Sequence, residues 1–151
     1  MHARSLADLQ SSLRRYAQYE MLRLGVREMG IGSSQTLDVA RELSGLADAC
    51  LQAAVTFCSA ELSAGYGEPV CNDSAPGFSV LAMGKLGGDE LNFSSDIDVL
   101  FIYASDDGHA GSLSLHEYYA RLSKAVTRAL GESTGDGMVF RVDLRLRPVG
   151  A

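Results

Sequence analysis

The chain has 151 residues, 46% of them hydrophobic, which suits one domain built around one core. Its net charge of −6 lacks the basic footprint of a nucleic-acid groove, which argues against a nucleic-acid partner and for a mononucleotide or a modified protein as ligand. Cys50, Cys58 and Cys71 are odd in number and form no Cys-x-x-Cys pair, so neither a zinc site nor a disulfide framework is indicated, and reduced, buried thiols in a cytoplasmic protein are expected.

Met1-His2-Ala3-Arg4 leads directly into an amphipathic segment rather than a signal-peptide core, and no apolar stretch is read as membrane-spanning, so no membrane partner is expected. Leu6, Leu9, Leu13, Tyr16 and Glu20 or Met21 recur at about helical spacing and predict a helix to about Glu28, closed by Gly30-Ile31-Gly32. Ser34 to Thr36 can cap a second helix. Its stripe, from Leu43, Leu46 and Ala47 through Cys50, Ala54 and Cys58 to Leu62, needs a partner surface and reads as core, with a bend placed near Ser44-Gly45. Residues 65 to 77, with two prolines and Asn72-Asp73-Ser74, read as a loop.

Phe78 to Met83 is a short apolar run bounded by Pro76-Gly77 and Gly84, as a buried strand would be. A glycine turn follows, in which Gly84, Gly87 and Gly88 let backbone approach a polyphosphate closely and Lys85 offers a point charge. The cluster lacks the Gly-Lys-Ser/Thr ending of a P-loop, and a plain turn would explain it as well. Asp96 and Asp98 then open the run Val99-Leu100-Phe101-Ile102-Tyr103. On a strand, residues two apart share a face, so the two carboxylates stand side by side. Their repulsion, about 1 kcal/mol or more at short range, is commonly offset by Mg²⁺, a hard cation that takes carboxylate oxygens and keeps positions open for phosphate. A solvated strand end with capping carboxylates would show the same pattern.

Asp106 to Ser112 reads as a mobile surface loop with a solvated His109. Ser114-Leu115-His116-Glu117 fits a capping box, and Leu115, Tyr118, Leu122, Val126 and Leu130 extend it as a helix to Gly131 that should cover the closed face of the sheet. Asp136-Gly137 turns the chain into Met138 to Pro148, where Phe140, Val142, Leu144 and Leu146 alternate with Arg141, Asp143, Arg145 and Arg147. A half-open sheet produces that alternation by default, with an antiparallel strand as the plain explanation. Asp143 beside the Asp-x-Asp pair would complete a metal triad, its arginine neighbours facing phosphate oxygens as forked donors.

Two runs carry a resemblance: Met83-Gly84-Lys85-Leu86-Gly87-Gly88-Asp89-Glu90-Leu91-Asn92-Phe93-Ser94-Ser95-Asp96-Ile97-Asp98 and Phe140-Arg141-Val142-Asp143-Leu144-Arg145-Leu146-Arg147-Pro148. Both are similar to the family of bifunctional glutamine synthetase adenylyltransferase and adenylyl-removing enzymes, and the preceding helical part resembles the segment before this motif. The resemblance implies an α+β fold: a polymerase-β type nucleotidyltransferase sheet, mixed or antiparallel, with helices on one face and a helical pair before it. Residues 1–64 would be that helical segment, 65–77 a loop and 78–151 the nucleotidyltransferase core. Family members are several times longer and hold two copies of this domain, so this chain would be a fragment with one copy, and its wording resembles the N-terminal, AMP-removing copy more.

By the same resemblance, Asp96, Asp98 and Asp143 would be the catalytic, Mg²⁺-binding acids. Gly84, Lys85, Gly87, Gly88, Ser94, Ser95, Arg145 and Arg147 would contact nucleotide or phosphate. The implied reaction is attack of inorganic phosphate on adenylyl-tyrosine of glutamine synthetase, releasing ADP. Attachment of AMP from ATP is the alternative, as is a catalytically silent interaction fragment. A PII-type signalling protein is the implied regulator of the full-length enzyme. A dehalogenase-type phosphotransferase is disfavoured, because there the apolar strand precedes the acids and here it follows them.

Overall fold

The computed structural model describes residues 5–31, 36–135 and 137–144. Its elements are α1 (Leu6–Ile31), α2 (Thr36–Tyr66), β1 (Phe78–Met83), α3 (Gly84–Gly87), β2 (Ile97–Tyr103), β3 (His109–Ala110), β4 (Leu113–Ser114), α4 (Leu115–Gly131) and β5 (Val142–Asp143). The result is an α+β fold with a small mixed sheet.

Helix α1 turns Leu9, Leu13, Ala17 and Leu24 inward, the spacing expected of a core-facing stripe. Two polar residues, Gln10 and Arg14, lie on that buried face, at 6% and 4% exposure. Both reach the far end of α4: Gln10 Nε2 donates to the Arg128 carbonyl at 3.2 Å and Arg14 Nη2 donates to the Glu132 carbonyl at 3.0 Å, while Arg14 Nε is buried with no hydrogen-bond partner among the described residues. The Arg128 carbonyl also accepts from the Glu132 N–H at 3.1 Å, so the two side chains tie α1 to the closing turn of α4.

Helix α2 is continuous from Thr36 to Tyr66, Ser44-Gly45 included. Ser44 is fully buried, and its hydroxyl donates back to the Ala40 carbonyl at 3.0 Å. The same helix corrects the membrane reading: Leu37–Tyr66 contains an 18-residue window with a mean hydropathy of 1.3, long and apolar enough to cross a bilayer by length and composition. In this fold 44% of that window is buried, with Leu43, Ala47, Cys50 and Ala54 in one core with residues of α1 and α4. A core helix meets the same criterion as a membrane span.

Strand β1 pairs antiparallel with β2, from Phe78 opposite Tyr103 to Met83 opposite Asp98. Strand β2 pairs on its other side with β5, in parallel, through Ile97 opposite Val142 and Asp98 opposite Asp143. Side chains alternate across the sheet, so Ile97 and Val99 are buried beneath it while Leu81 and Ile102 are half exposed on the other face. Helix α4 packs on the buried face: Tyr119 stacks on Phe78 at 5.2 Å and on Tyr103 at 4.9 Å, and its hydroxyl donates to the Pro76 carbonyl at 3.1 Å. The capping box of α4 is present as read, Ser114 accepting from the Glu117 N–H and Glu117 accepting from the Ser114 N–H.

Three local expectations change. Within the segment read as a loop from Asp106 to Ser112, His109–Ala110 pair antiparallel with Leu113–Ser114, and His109 also bridges to Val70. Glycine permits this close fold: a Cβ on Gly111 would stand 2.0 Å from the Tyr66 carbonyl oxygen. The glycine turn after β1 is a single helical turn. Among the described residues the C-terminal strand is Val142–Asp143 and begins later than expected, because the N–H groups of Val139 and Phe140 donate to the Leu130 carbonyl at 3.0 and 3.2 Å and both side chains are buried. The end of α4 thus claims the residues that alternation assigned to the sheet. Thr134 and Gly137 exchange backbone hydrogen bonds around the turn before it, while Asp136, Arg145, Leu146, Arg147 and Pro148 lie outside the described residues.

Candidate functional site

The parallel register of β2 and β5 makes Asp98 and Asp143 direct neighbours, with Met83 on the opposite flank of Asp98. Residues in one row of a sheet project to the same face, so both carboxylates lie on the face away from α4, half buried. Two acids 45 positions apart in sequence are brought together by two rungs of backbone pairing.

Gly84, the residue after Met83, has φ +54, and a Cβ there would stand 2.6 Å from Asp98 Oδ2. The Asp98 carboxylate therefore occupies the space that any other residue would fill with its side chain. Gly87 is required for a different reason: its Cβ would lie 2.6 Å from the Ala82 carbonyl oxygen, so α3 could not fold back on β1. Gly88 meets nothing closer than 3.6 Å. The N–H groups of Gly88, Asp89 and Glu90 donate to the carbonyls of Gly84, Leu86 and Lys85, which closes the turn on itself and leaves Lys85 exposed at its rim.

Buried Leu86 and Leu91 anchor the turn, and the Leu91 N–H donates to Ser44 Oγ at 3.3 Å, tying it to α2. Downstream, Asn92 organises the serines. Its Oδ1 accepts from the Ser94 N–H at 3.1 Å and from Ser95 Oγ at 2.7 Å. The Ser95 hydroxyl is thus engaged within the loop. Asn92 was not singled out from sequence, although an Asn two residues before a serine is the signature of such a side-chain turn.

Asp96 stands one residue before β2. Its carboxylate pairs with Arg141, Nε to Oδ1 at 2.6 Å and Nη2 to Oδ2 at 2.5 Å. The Arg141 carbonyl accepts from the Ile97 N–H at 2.9 Å, which holds the two backbones together at the mouth of β2. Asp96, Arg141 and Asp143 line a cleft of ≈ 460 Å³, with Thr127 of α4 and Leu144 on its walls. Neither Thr127 nor the Asp96–Arg141 pair was legible in the sequence, since no local pattern links them. Among the described residues no three His, Cys, Asp or Glu side chains are gathered closely enough to hold a metal ion. A larger groove, ≈ 750 Å³, runs between α2 and the edge of β1. Among the described residues that line it, Asp48 is the one acid, and its carboxyl is pushed up by burial and by Asp89.

Comparison with known proteins adds identity to this geometry. The family model described as glutamate-ammonia ligase adenylyltransferase matches residues 1–151. A bifunctional glutamine synthetase adenylyltransferase/adenylyl-removing enzyme of Burkholderia pseudomallei is 44% identical over 124 residues, 79% of this chain and 13% of that protein. Proteins of the same description from Nitrosococcus oceani and Thioalkalivibrio sulfidiphilus are 43% and 40% identical over 95% and 98% of this chain, and 15% and 16% of theirs. The chain therefore spans about a seventh of the length of these relatives.

Proposed function

The chain belongs to the glutamate-ammonia ligase adenylyltransferase family, and on that premise we propose that it is a nucleotidyltransferase unit of polymerase-β type that removes AMP from adenylyl-tyrosine of glutamine synthetase. The observation that carries this reading is the rung between Asp98 and Asp143, which sets two carboxylates side by side on an open sheet face. All-oxygen donors of this kind suit a hard divalent cation such as Mg²⁺, with Asp96 as the third acid at the same mouth. When bound, Mg²⁺ supplies charge that stabilises the equatorial and leaving oxygens of a transferring phosphoryl group.

The protein's own part is positioning and charge. Inorganic phosphate attacks the phosphorus of adenylyl-tyrosine; the new P–O bond forms ADP, and the bond to the tyrosine oxygen breaks, leaving free tyrosine once that oxygen takes a proton. Lys85 at the rim of the glycine turn offers a cation to incoming phosphate oxygens; Arg145 and Arg147, which follow Asp143 in sequence and lie outside the described residues, are assigned the same role by the family resemblance. Gly84 keeps the space over Asp98 clear. Gly87 and Gly88 shape the turn, and Ser94 and Ser95 border it on the loop that Asn92 braces. A cytoplasmic location and control of the full-length enzyme by a PII-type protein complete the proposal.

Asp98→Asn in the full-length enzyme tests it. Phosphate-dependent release of ADP from adenylylated glutamine synthetase should fall roughly 10²-fold or more, the scale of losing one partner to transition-state charge, with melting temperature nearly unchanged. Retained removal with lost attachment of AMP from ATP would instead assign this unit to the attaching copy.

A further inference from the structure

We propose that the outer edge of β1 takes up an extended, basic peptide segment of a partner protein, which joins the sheet as a further strand in the groove beside α2. The sheet order is β1-β2-β5, so β1 has a neighbour on one side only. The phase of its ladder decides which backbone groups are left over. Residues directly opposite in an antiparallel pair alternate between exchanging hydrogen bonds and exchanging none. The Ala104 N–H donates to the Gly77 carbonyl at 3.0 Å, one step beyond the Phe78–Tyr103 pair, so Ser79, Leu81 and Met83 turn their backbone groups to β2, and Phe78, Val80 and Ala82 turn theirs away. A Cβ on Gly87 would lie 2.6 Å from the Ala82 carbonyl oxygen, so α3 covers that oxygen. The N–H and C=O of Phe78 and Val80 and the N–H of Ala82 have no hydrogen-bond partner among the described residues. Phe78, Val80 and Ala82 line the ≈ 750 Å³ groove, with Leu51 and Val55 of α2 across from them. Sheet edges are ordinarily guarded by a charge, a proline, a bulge or a covering element. Phe78-Ser79-Val80-Leu81-Ala82-Met83 has no charge and no proline, and its register to β2 is continuous. The charge of the occupant follows from the other wall. Asp48 lines the groove, has Asp89 as its charged neighbour and has no basic partner among the described residues; its carboxyl is pushed up, first by burial and then by Asp89. A lysine or arginine on the added strand supplies the missing counter-ion, and main-chain pairing supplies the rest of the affinity, as it does wherever a peptide extends a sheet.

The probe is the peptide acetyl-Thr-Lys-Val-Lys-Val-Lys-Thr-amide, titrated into the ¹⁵N-labelled 151-residue chain, with amide hydrogen exchange followed by NMR. At a peptide concentration roughly tenfold above the dissociation constant, exchange at Val80 and Ala82 should slow roughly tenfold, while Ser79 and Leu81, already bonded to β2, change little. The same peptide with glutamate in place of lysine should bind roughly tenfold more weakly or worse. Asp48→Asn should weaken the lysine peptide about twofold to fivefold, the range of an exposed ion pair. Val80→Pro deletes an N–H that the ladder does not use, so the chain should still melt cooperatively and yet lose the peptide. A lysine peptide N-methylated at every amide keeps its charge but cannot donate to a strand; it should not bind, and it makes the same test without touching the fold. Equal binding of the methylated or the glutamate peptide, slowed exchange confined to residues outside Phe78–Met83, or no binding at all overturns the proposal. A dimer of the native chain in sedimentation velocity that Val80→Pro dissolves overturns it too, because the edge would then belong to a second copy.

Discussion

At the scale of single residues, Gly84 and Gly88 separate two reasons for a glycine in a motif. Gly84 has φ +54 and sits under Asp98, so Gly84→Ala adds left-handed strain and pushes on the carboxylate. Strain alone should cost about 1–2 kcal/mol, and Mn²⁺ affinity should fall as Asp98 is displaced. Gly88 has φ −96 with no close neighbour, so Gly88→Ala should change neither denaturant midpoint nor Mn²⁺ binding appreciably. Equal effects at the two positions would contradict the assigned geometry. The cysteines divide in the same residue-level way. Burial pushes the thiols of Cys50 and Cys58 up to about 12 and about 11, whereas Cys71 is only partly buried, a correction to the expectation of three buried thiols. Since thiolate is the reactive form, maleimide at neutral pH should label Cys71 in the folded chain and spare the other two until denaturant is added. Mass spectrometry of the labelled peptides reads this directly.

At the scale of elements, α1 and α4 are joined where α4 ends. Glu132 accepts from Arg128 Nε at 3.0 Å and from Gln10 Nε2 at 2.9 Å, and its carboxyl is held below the usual range, chiefly by the Arg128 hydrogen bond and next by Gln10. A lowered carboxyl in the folded chain contributes stability that is present above its unfolded value and is lost as pH falls through the folded one. Glu132→Gln should therefore flatten the acid side of the stability profile below about pH 4.5 while leaving pH 7 to 8 little changed in shape, as followed by thermal melts across pH. Helix α1 has a second, outward stripe: Tyr19, Leu22, Val26 and Met29 are 56% to 82% exposed at helical spacing. Apolar residues on both faces explain why its inward face stands out so little in sequence, while α4, polar on one side and apolar on the other, was legible to within a residue from its capping box to Gly131.

At the scale of the whole molecule, one core serves both halves of the chain. Leu24 of α1, Leu43, Ala47 and Cys50 of α2, Ile97 of β2 and Leu122 and Val126 of α4 are all essentially inaccessible and belong to one cluster. The candidate site depends on that core through Ser44, which receives the Leu91 N–H below the glycine turn. A chain lacking residues 1 to 64 should accordingly show no cooperative thermal transition by circular dichroism, because α4 and the sheet would expose the apolar surface that α2 now covers. A sharp transition in that truncated chain would show that the catalytic half carries a sufficient core of its own.

Read alone, the sequence determined what is local: helices from periodicity, the cap at Ser114, the glycine turn after a strand, the acid pair at the mouth of the next, and a resemblance strong enough to name a family. These features extend over a few residues, and their physics is complete within them. Only the tertiary structure decided which acids meet. The rung from Asp98 to Asp143 and the fork from Arg141 to Asp96 both join positions 45 residues apart, and a one-residue shift in register would have turned Asp143 to the opposite face. The carbonyl of Leu130 decided where β5 begins, by drawing Val139 and Phe140 onto the end of α4. Pairing of strands and competition between unsatisfied backbone groups depend on what the rest of the chain brings near, and no window along the sequence contains that information.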